Sequence, residues 1–178
     1  MTSMARARAG NLEAPFAAMQ TTPFGAMGVR IEEEALAELV FLPATREVIR
    51  PYTRLANTLA TDACKQIAAF VADPDFVFDL PLAQRGTEFQ RRVWNAISAI
   101  PRGRTRGYGD IARTLGSAPR AVGQACGSNF FPLVIPCHRV VAASGLGGFA
   151  HHSAGFHLRV KRWLLEQELR ENAAAMLL

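Results

Sequence analysis

The chain has 178 residues, of which 49% are hydrophobic and 20% charged, with a formal net charge of +5. That length holds one domain or two small ones with ample core, and the composition excludes a disordered or fibrous chain. No run approaches the ~18 apolar residues that span a bilayer, so no membrane helix is expected.

Met1 to Gln20 is Ala- and Arg-rich without the continuous apolar core of a secretory signal, and it is expected to be a flexible tail. Thr22-Pro23-Phe24-Gly25 resembles a turn. Ala26–Ile31 and Ala37–Leu42 alternate as a hairpin does, about the acidic turn Glu32-Glu33-Glu34. Helical spacing of apolar residues from Leu55 to Val71 predicts a helix over Thr53–Val71, stopped by Asp73-Pro74-Asp75. Phe76-Val77-Phe78 is expected as a short strand. Residues 21–80 thus form a small N-terminal α/β domain with no evident chemistry of its own, and 81–86 a linker.

From residue 87 to 172 the pattern is mainly helical. Thr87 is placed to cap a helix that runs to Ile100, with Phe89, Val93, Ala96, Ile97 and Ile100 on its core face. Pro101-Arg102-Gly103 breaks it. A short helix from Tyr108 to Leu115 ends at Gly116. Another begins at Ser117 or Ala118, holds Pro119 in its first turn and runs to Ser128. Two short helices about a glycine turn make a helix-turn-helix. A loop and strand are expected next, then the glycine-rich loop 145–155 and a last helix over Leu158–Asn172.

Charge is divided unevenly. Residues 1–84 carry seven Lys/Arg and ten Asp/Glu, whereas residues 85–178 carry thirteen against five. A basic surface concentrated in one half favours a polyanionic partner, although a merely soluble basic face has the same signature. Arg102, Arg104, Arg106 and Arg113 are candidates for phosphate contacts or for an ordinary solvated face. Three cysteines, Cys64, Cys126 and Cys137, are odd in number and widely spaced, and no ligand set accompanies them. Neither a disulfide framework nor a metal site is expected, and a reducing compartment is the simplest setting.

The most informative stretch is Phe131-Pro132-Leu133-Val134-Ile135-Pro136-Cys137-His138-Arg139-Val140-Val141. A cysteine attacks as its thiolate, and a thiol with an ordinary pKa of ~8.5 needs a neighbouring base or positive charge, which His138 and Arg139 offer. Adjacent residues on a strand point to opposite faces, so His138 serves Cys137 only if the chain turns there or a water relays the proton. The bland alternative is a buried structural thiol beside a core histidine. On the last helix Glu168 prolongs the apolar stripe of Val160 and Leu164, with Lys161 and Leu165 on the adjoining row. Arg162, Glu166 and Arg170 share a separate, solvated stripe. A carboxylate on an apolar stripe is costly unless partnered, which singles out Glu168. Gly123, between Ala121 and Ala125, gives the second helix of the pair a thin face. That face fits a narrow groove of DNA or close packing against another helix.

Pro136-Cys137-His138-Arg139-Val140-Val141 resembles the active-site signature of the O6-alkylguanine-DNA alkyltransferases, also called methylated-DNA–protein-cysteine methyltransferases. The likeness runs from Gly86 to Glu168 and includes Gly86-Thr87-Glu88-Phe89-Gln90, Ile100-Pro101-Arg102-Gly103, Tyr108-Gly109-Asp110-Ile111-Ala112, Arg120-Ala121-Val122-Gly123 and Asn129. The resemblance implies an α/β fold and DNA repair by irreversible transfer of an alkyl group from O6 of guanine to Cys137. It further implies a single turnover, no cofactor, and a monomer on the minor groove of double-stranded DNA. His138 would be the base, Glu168 its orienter and Asn129 the brace of the intervening loop. Tyr108 and Arg120 would assist and replace the flipped nucleotide, with Ala121, Gly123, Val140 and Ala150 completing the substrate and DNA surface. The compartment would be cytoplasmic in a bacterium and nuclear in a eukaryote. Two departures stand out: Gly107 precedes the tyrosine where Ser or Thr is usual, and the stretch between Phe149 and Lys161 is several residues longer than the pattern. A non-catalytic lesion-sensing module and a cysteine hydrolase are the competing readings. An intact Cys137 argues against the first, and the basic helix-turn-helix has no purpose in the second.

Overall fold

The computed structural model describes residues 16–44 and 57–175. Residues 1–15 of the expected tail, 53–56 of the expected first helix and the Arg170 side chain lie outside the described residues.

The N-terminal part is an antiparallel sheet of β1 (Ala18–Thr22), β2 (Gly25–Glu32) and β3 (Ala35–Leu42), in that order, with α1 (Thr58–Ala72) against it. The expected hairpin is present, and its turn is the pair Glu33-Glu34. β1 corrects the sequence expectation, which ran a tail to residue 20. Ala18 to Thr22 pair with Val29 to Gly25 around the Pro23-Phe24 turn. Gly25 is required there: its φ is +135°, and a Cβ would lie 2.3 Å from the Leu42 carbonyl oxygen. Asn57 caps α1 by accepting from Ala60 N–H at 2.9 Å.

No strand forms at Phe76–Phe78. Phe76 and Phe78 instead pack edge to face at 5.6 Å, Phe78 lies 5.4 Å from Phe70, and Val77 is 82% exposed. Phe76 and Phe78 are half-buried by this local cluster, with no ladder partner to pair them. The free edge of β3 is covered by residues from farther along the chain. Leu36 N–H donates to Pro81 O, Ala83 N–H to Leu36 O, and Leu39 N–H to Phe130 O, at 2.7–2.9 Å. The last of these bonds joins the sheet to the segment leading into Cys137.

The C-terminal part begins with α2 (Glu88–Ser98), held by the capping box in which Thr87 Oγ1 accepts from Gln90 N–H and Gln90 Oε1 accepts from Thr87 N–H. α2 buries Val93, Trp94 and Ile97; Trp94 donates its indole N–H to Ala125 O at 2.9 Å. α3 (Tyr108–Leu115) and α4 (Pro119–Gly127) are the expected helix pair, with Gly116 left-handed at the end of α3 and Pro119 opening α4. Gly107 has no side chain to cap α3, and Asp110 compensates by accepting from Gly107 N–H at 3.1 Å. β4 (Arg106–Gly107) pairs in parallel with β5 (Val140–Val141), and α5 (Phe156–Ala175) closes the chain. One apolar core runs from Met27 and Phe41 of the sheet through Ile97, Ile111 and Val122 to Val160 and Leu164. Each such side chain contributes about 1.5–3 kcal/mol when fully buried. No helix among the described residues is long and apolar enough to cross a membrane.

Candidate active site

Cys137 opens a 3₁₀ turn over Cys137–Arg139, where a loop and strand were expected; β5 starts only at Val140. A 3₁₀ turn has about three residues per turn, so successive side chains diverge by about 120° and no longer alternate across a strand. Cys137 and His138 therefore do not face opposite sides of a strand. The turn also corrects the expectation for Arg139, which turns away from the thiol toward α5. Arg139 donates Nε and an Nη to Glu168 Oε1 at 3.0 Å each, and its other Nη to Ile100 O at 2.7 Å.

Cys137 is 6% exposed, and burial pushes its thiol pKa up. Two groups oppose that shift: Asn129 Nδ2 donates to Sγ at 3.3 Å, and the Lys161 ammonium favours the thiolate. Asn129 also donates to Ile135 O and accepts from Phe131 N–H, both at 2.9 Å, so one side chain braces the loop and contacts the sulfur. His138 and Glu168 are each 1% exposed, joined by an Nε2···Oε1 contact of 2.7 Å. Burial drives the His138 pKa down, only partly offset by Glu168, so the ring is neutral. Burial alone would raise the Glu168 carboxyl. Hydrogen bonds from His138 and the Arg139 guanidinium, with Gly103 N–H at 2.9 Å, outweigh it and hold the pKa at about 2. An ionised Glu168 accepts from Nε2–H, which leaves Nδ1 as the basic nitrogen. Nδ1 is buried and has no partner among the described protein groups.

Lys161 was not singled out by sequence. It is 0% exposed, and Nζ donates to the carbonyls of Val140 and Leu146 at 2.6 Å and of Gly148 at 2.9 Å. Burial lowers its pKa to about 8. Three backbone carbonyls, one from β5 and two from the glycine-rich loop, leave no trace in a side-chain pattern; the sole signal is its place beside the apolar stripe.

A cavity of about 400 Å³ opens in front of the thiol. Tyr108, Arg120, Gly123, Ala150, His151 and Cys137 are among its walls. Tyr108 is half-buried and donates its hydroxyl to Gly148 O at 3.1 Å, the carbonyl also held by Lys161. Arg120 stands exposed at the start of α4. A Cβ on Gly123 would make ordinary van der Waals contact with the Tyr108 ring at 3.9 Å, so no close helix packing requires the glycine there. Gly127 is the packed glycine, since its Cβ would lie 2.5 Å from the His151 ring. Ala150 and His151 have φ of +50° and +64°, left-handed values that cost energy for residues with a side chain, and the His151 ring packs over Gly127 of α4. Val140 is fully buried in β5 and Ala121 half-buried on α4; neither lines the cavity. Of the four arginines considered for phosphate, Arg102 pairs with Asp75, Arg113 with Asp110, and Arg106 donates to Thr114 Oγ1 at 3.1 Å. Among the described residues no cluster of three or more His, Cys, Asp or Glu is arranged to hold a metal.

Residues 88–170 match the model of the 6-O-methylguanine DNA methyltransferase DNA-binding domain. The methylated-DNA–protein-cysteine methyltransferase of Methanosarcina acetivorans is 38% identical over 151 residues, covering 83% of this chain and 94% of the relative. The chain belongs to the methylated-DNA–protein-cysteine methyltransferase family. The Mycolicibacterium paratuberculosis protein of that name is 40% identical, covering 88% of this chain and 94% of its own. The crystal structure of the Mycobacterium tuberculosis O6-methylguanine methyltransferase matches with a TM-score of 0.67 at 35% identity, covering 84% of this chain and 90% of that one. A structure of the Mycobacterium tuberculosis OGT protein in complex with DNA matches with 0.66 at 38%, over the same shares.

Proposed function

We propose that this chain repairs O6-alkylguanine in double-stranded DNA by one irreversible transfer of the alkyl group to Cys137. As a member of its family it is a DNA-binding repair methyltransferase; the lesion, the groove and the residue roles are our reading. The observation that carries it is a buried thiol lining a cavity whose mouth holds Arg120 and α4, backed by an ordered His138–Glu168 pair.

The O6 substituent is out of reach inside a duplex, so the nucleotide must be extruded, at a cost of a few kcal/mol. α4 enters the minor groove with its thin Gly123 face, Arg120 fills the vacated stack, and Tyr108 lines the pocket for the base. Ala150, with its neighbours in the long loop, faces the base from the other side. The thiol proton passes through a bridging water to His138 Nδ1, because Glu168 occupies Nε2. Asn129 and Lys161 stabilise the resulting thiolate. Its sulfur attacks the carbon bound to O6, and the thioether formed has no easy leaving group, so the protein is consumed. Val140 supports the site from within through its carbonyl bond to Lys161, and Ala121 flanks the DNA face of α4. We take the residues from the start of β1 to 80 as a supporting domain, which extends the expected 21–80 to hold all of β1, with 81–86 as its linker and 87–172 as the reactive domain, acting as a monomer. A free thiol suits a reducing compartment, the cytoplasm in a bacterium.

Intact-mass measurement after incubation with an O6-methylguanine duplex tests the reading. One methyl per protein, mapped to Cys137 and absent from Cys137→Ser, is expected. Repeated turnover, or transfer by Cys137→Ser, would refute it.

A further inference from the structure

Alkyl transfer uses one of two buried cysteines. Cys126, in the last turn of α4, is 6% exposed, the same as Cys137, and the transfer gives it no role. Both cysteines line the front cavity, and both line a second space bordered by β3. Asn129 ties them together. Its backbone N–H donates to Cys126 O at 3.2 Å, and its side-chain Nδ2 donates to Cys137 Sγ at 3.3 Å. Electrostatics agrees with the geometry. Burial pushes the Cys126 thiol pKa up, the Cys137 charge adds to that, and the Lys161 ammonium favours the thiolate of both residues. The third cysteine, Cys64, belongs to α1 and lines neither space.

A protein consumed by one reaction must keep its nucleophile intact until a lesion arrives. The groups that prepare Cys137 to attack carbon also prepare it to attack the oxygen of a hydroperoxide. A sulfenic acid left alone goes on to sulfinic acid, which ordinary thiols do not reduce, whereas a neighbouring thiol captures it as a disulfide. We propose that Cys126 is that resolving thiol, so that a hydroperoxide closes a Cys126–Cys137 disulfide which cellular thiols reopen. The benefit of this lock rests on the alkyltransferase reading above; its chemistry does not. In the first step the Cys137 thiolate attacks one peroxide oxygen: an S–O bond forms, the O–O bond breaks, and the departing oxygen takes up a proton. Sulfur is oxidised by two electrons and the peroxide is reduced. In the second step the Cys126 sulfur attacks the Cys137 sulfur. The S–S bond forms, the S–O bond breaks, and the hydroxyl leaves as water with the Cys126 proton. Asn129 gives up its contact with Sγ but keeps its bonds to Ile135 O and Phe131 N–H, so the loop stays braced for reopening.

Trypsin cleaves after Arg120 and Arg139, so both cysteines fall in the single peptide 121–139 and Cys64 falls in another. The full chain is treated with hydrogen peroxide, its remaining free thiols are capped, and the mass of that peptide is measured. In the wild type the peptide should lose two hydrogens. Transfer from an O6-methylguanine duplex should fall by about tenfold or more, then return to within about twofold of the untreated rate on adding dithiothreitol. In Cys126→Ser the peptide should instead gain two or three oxygens at Cys137, and dithiothreitol should restore less than about a tenth of the lost transfer. Each protein is compared with its own untreated sample, so a change in basal rate does not enter. Cys126→Ala takes the place of the serine variant if that variant fails to fold. A wild-type peptide that carries oxygen on Cys137 without the cross-link, or that peroxide leaves reduced, would overturn the proposal. Equal recovery in wild type and variant would also overturn it. A wild type that forms the cross-link but never accepts a methyl group would refute the alkyltransferase reading and leave the disulfide chemistry standing.

Discussion

Charge is handled in opposite ways in two parts of the reactive half. Behind Cys137 the ionised groups are buried and held by protein: Glu168 by His138, Arg139 and Gly103, and Lys161 by three backbone carbonyls. At the mouth of the front cavity Arg120 stands in solvent at the start of α4, on the helix whose Gly123 faces the Tyr108 ring. A buried charge with every bond made inside the protein fixes geometry, and removing its partner is destabilising. An exposed cation on an open helix face adds little to the fold and keeps its charge for a polyanion. The comparison predicts that substitutions behind the thiol damage stability and chemistry together, whereas those at the mouth affect duplex substrates alone.

The largest effect is expected at Glu168. Its folded pKa of about 2 lies below the ordinary value of 4.5, so the ionised form stabilises the fold above pH ~4.5 and that contribution is lost as pH falls through about 2. Glu168→Gln should therefore cost roughly 3 kcal/mol near neutrality by denaturant unfolding, with the gap from wild type closing toward pH 2. A constant gap across that range would mean that Glu168 acts by shape alone.

Lys161→Met comes next. It keeps the length of the chain but leaves three carbonyls without their donor, at a cost of roughly 2 kcal/mol in unfolding measurements. The thiolate loses a nearby cation as well, so the Cys137 pKa should rise further in a thiol-reactivity titration. An unchanged titration would confine Lys161 to holding the loop.

Arg120→Ala sharpens the other side of the comparison. Transfer from duplex DNA should fall by about tenfold or more, whereas transfer from free O6-benzylguanine, which requires no flipping, should stay within about twofold. Unfolding free energy should move by no more than ~0.5 kcal/mol. Equal losses on both substrates would make Arg120 part of the pocket.

The parts legible in the sequence were those that depend on local rules. The cap at Thr87, the stop at Gly116 and the opening Pro119 delimit α2 to α4 because each acts within a few residues. Glu168 stood out because a carboxylate on an apolar stripe requires a partner. What stayed hidden depends on distant chain. β1 exists through its register with β2, which an Ala- and Thr-containing segment does not announce. The aromatics at 76–78 looked like a strand because β-formers also make clusters. Arg139 was misassigned because a 3₁₀ turn was indistinguishable from a strand by composition. Lys161 was passed over because its three acceptors are main-chain carbonyls.

The central claim is that the buried Glu168–His138 pair activates Cys137, and a pH–rate profile of single-turnover transfer for Glu168→Gln beside Glu166→Gln tests it most directly. Glu166 is exposed on the same helix two residues away, and its replacement should shift stability by no more than about 0.5 kcal/mol and leave the profile of the wild type intact. Because burial raises the Cys137 pKa, Glu168→Gln should be slow at neutral pH and recover as alkaline pH supplies thiolate without the relay. Matching profiles for the two variants would contradict the account.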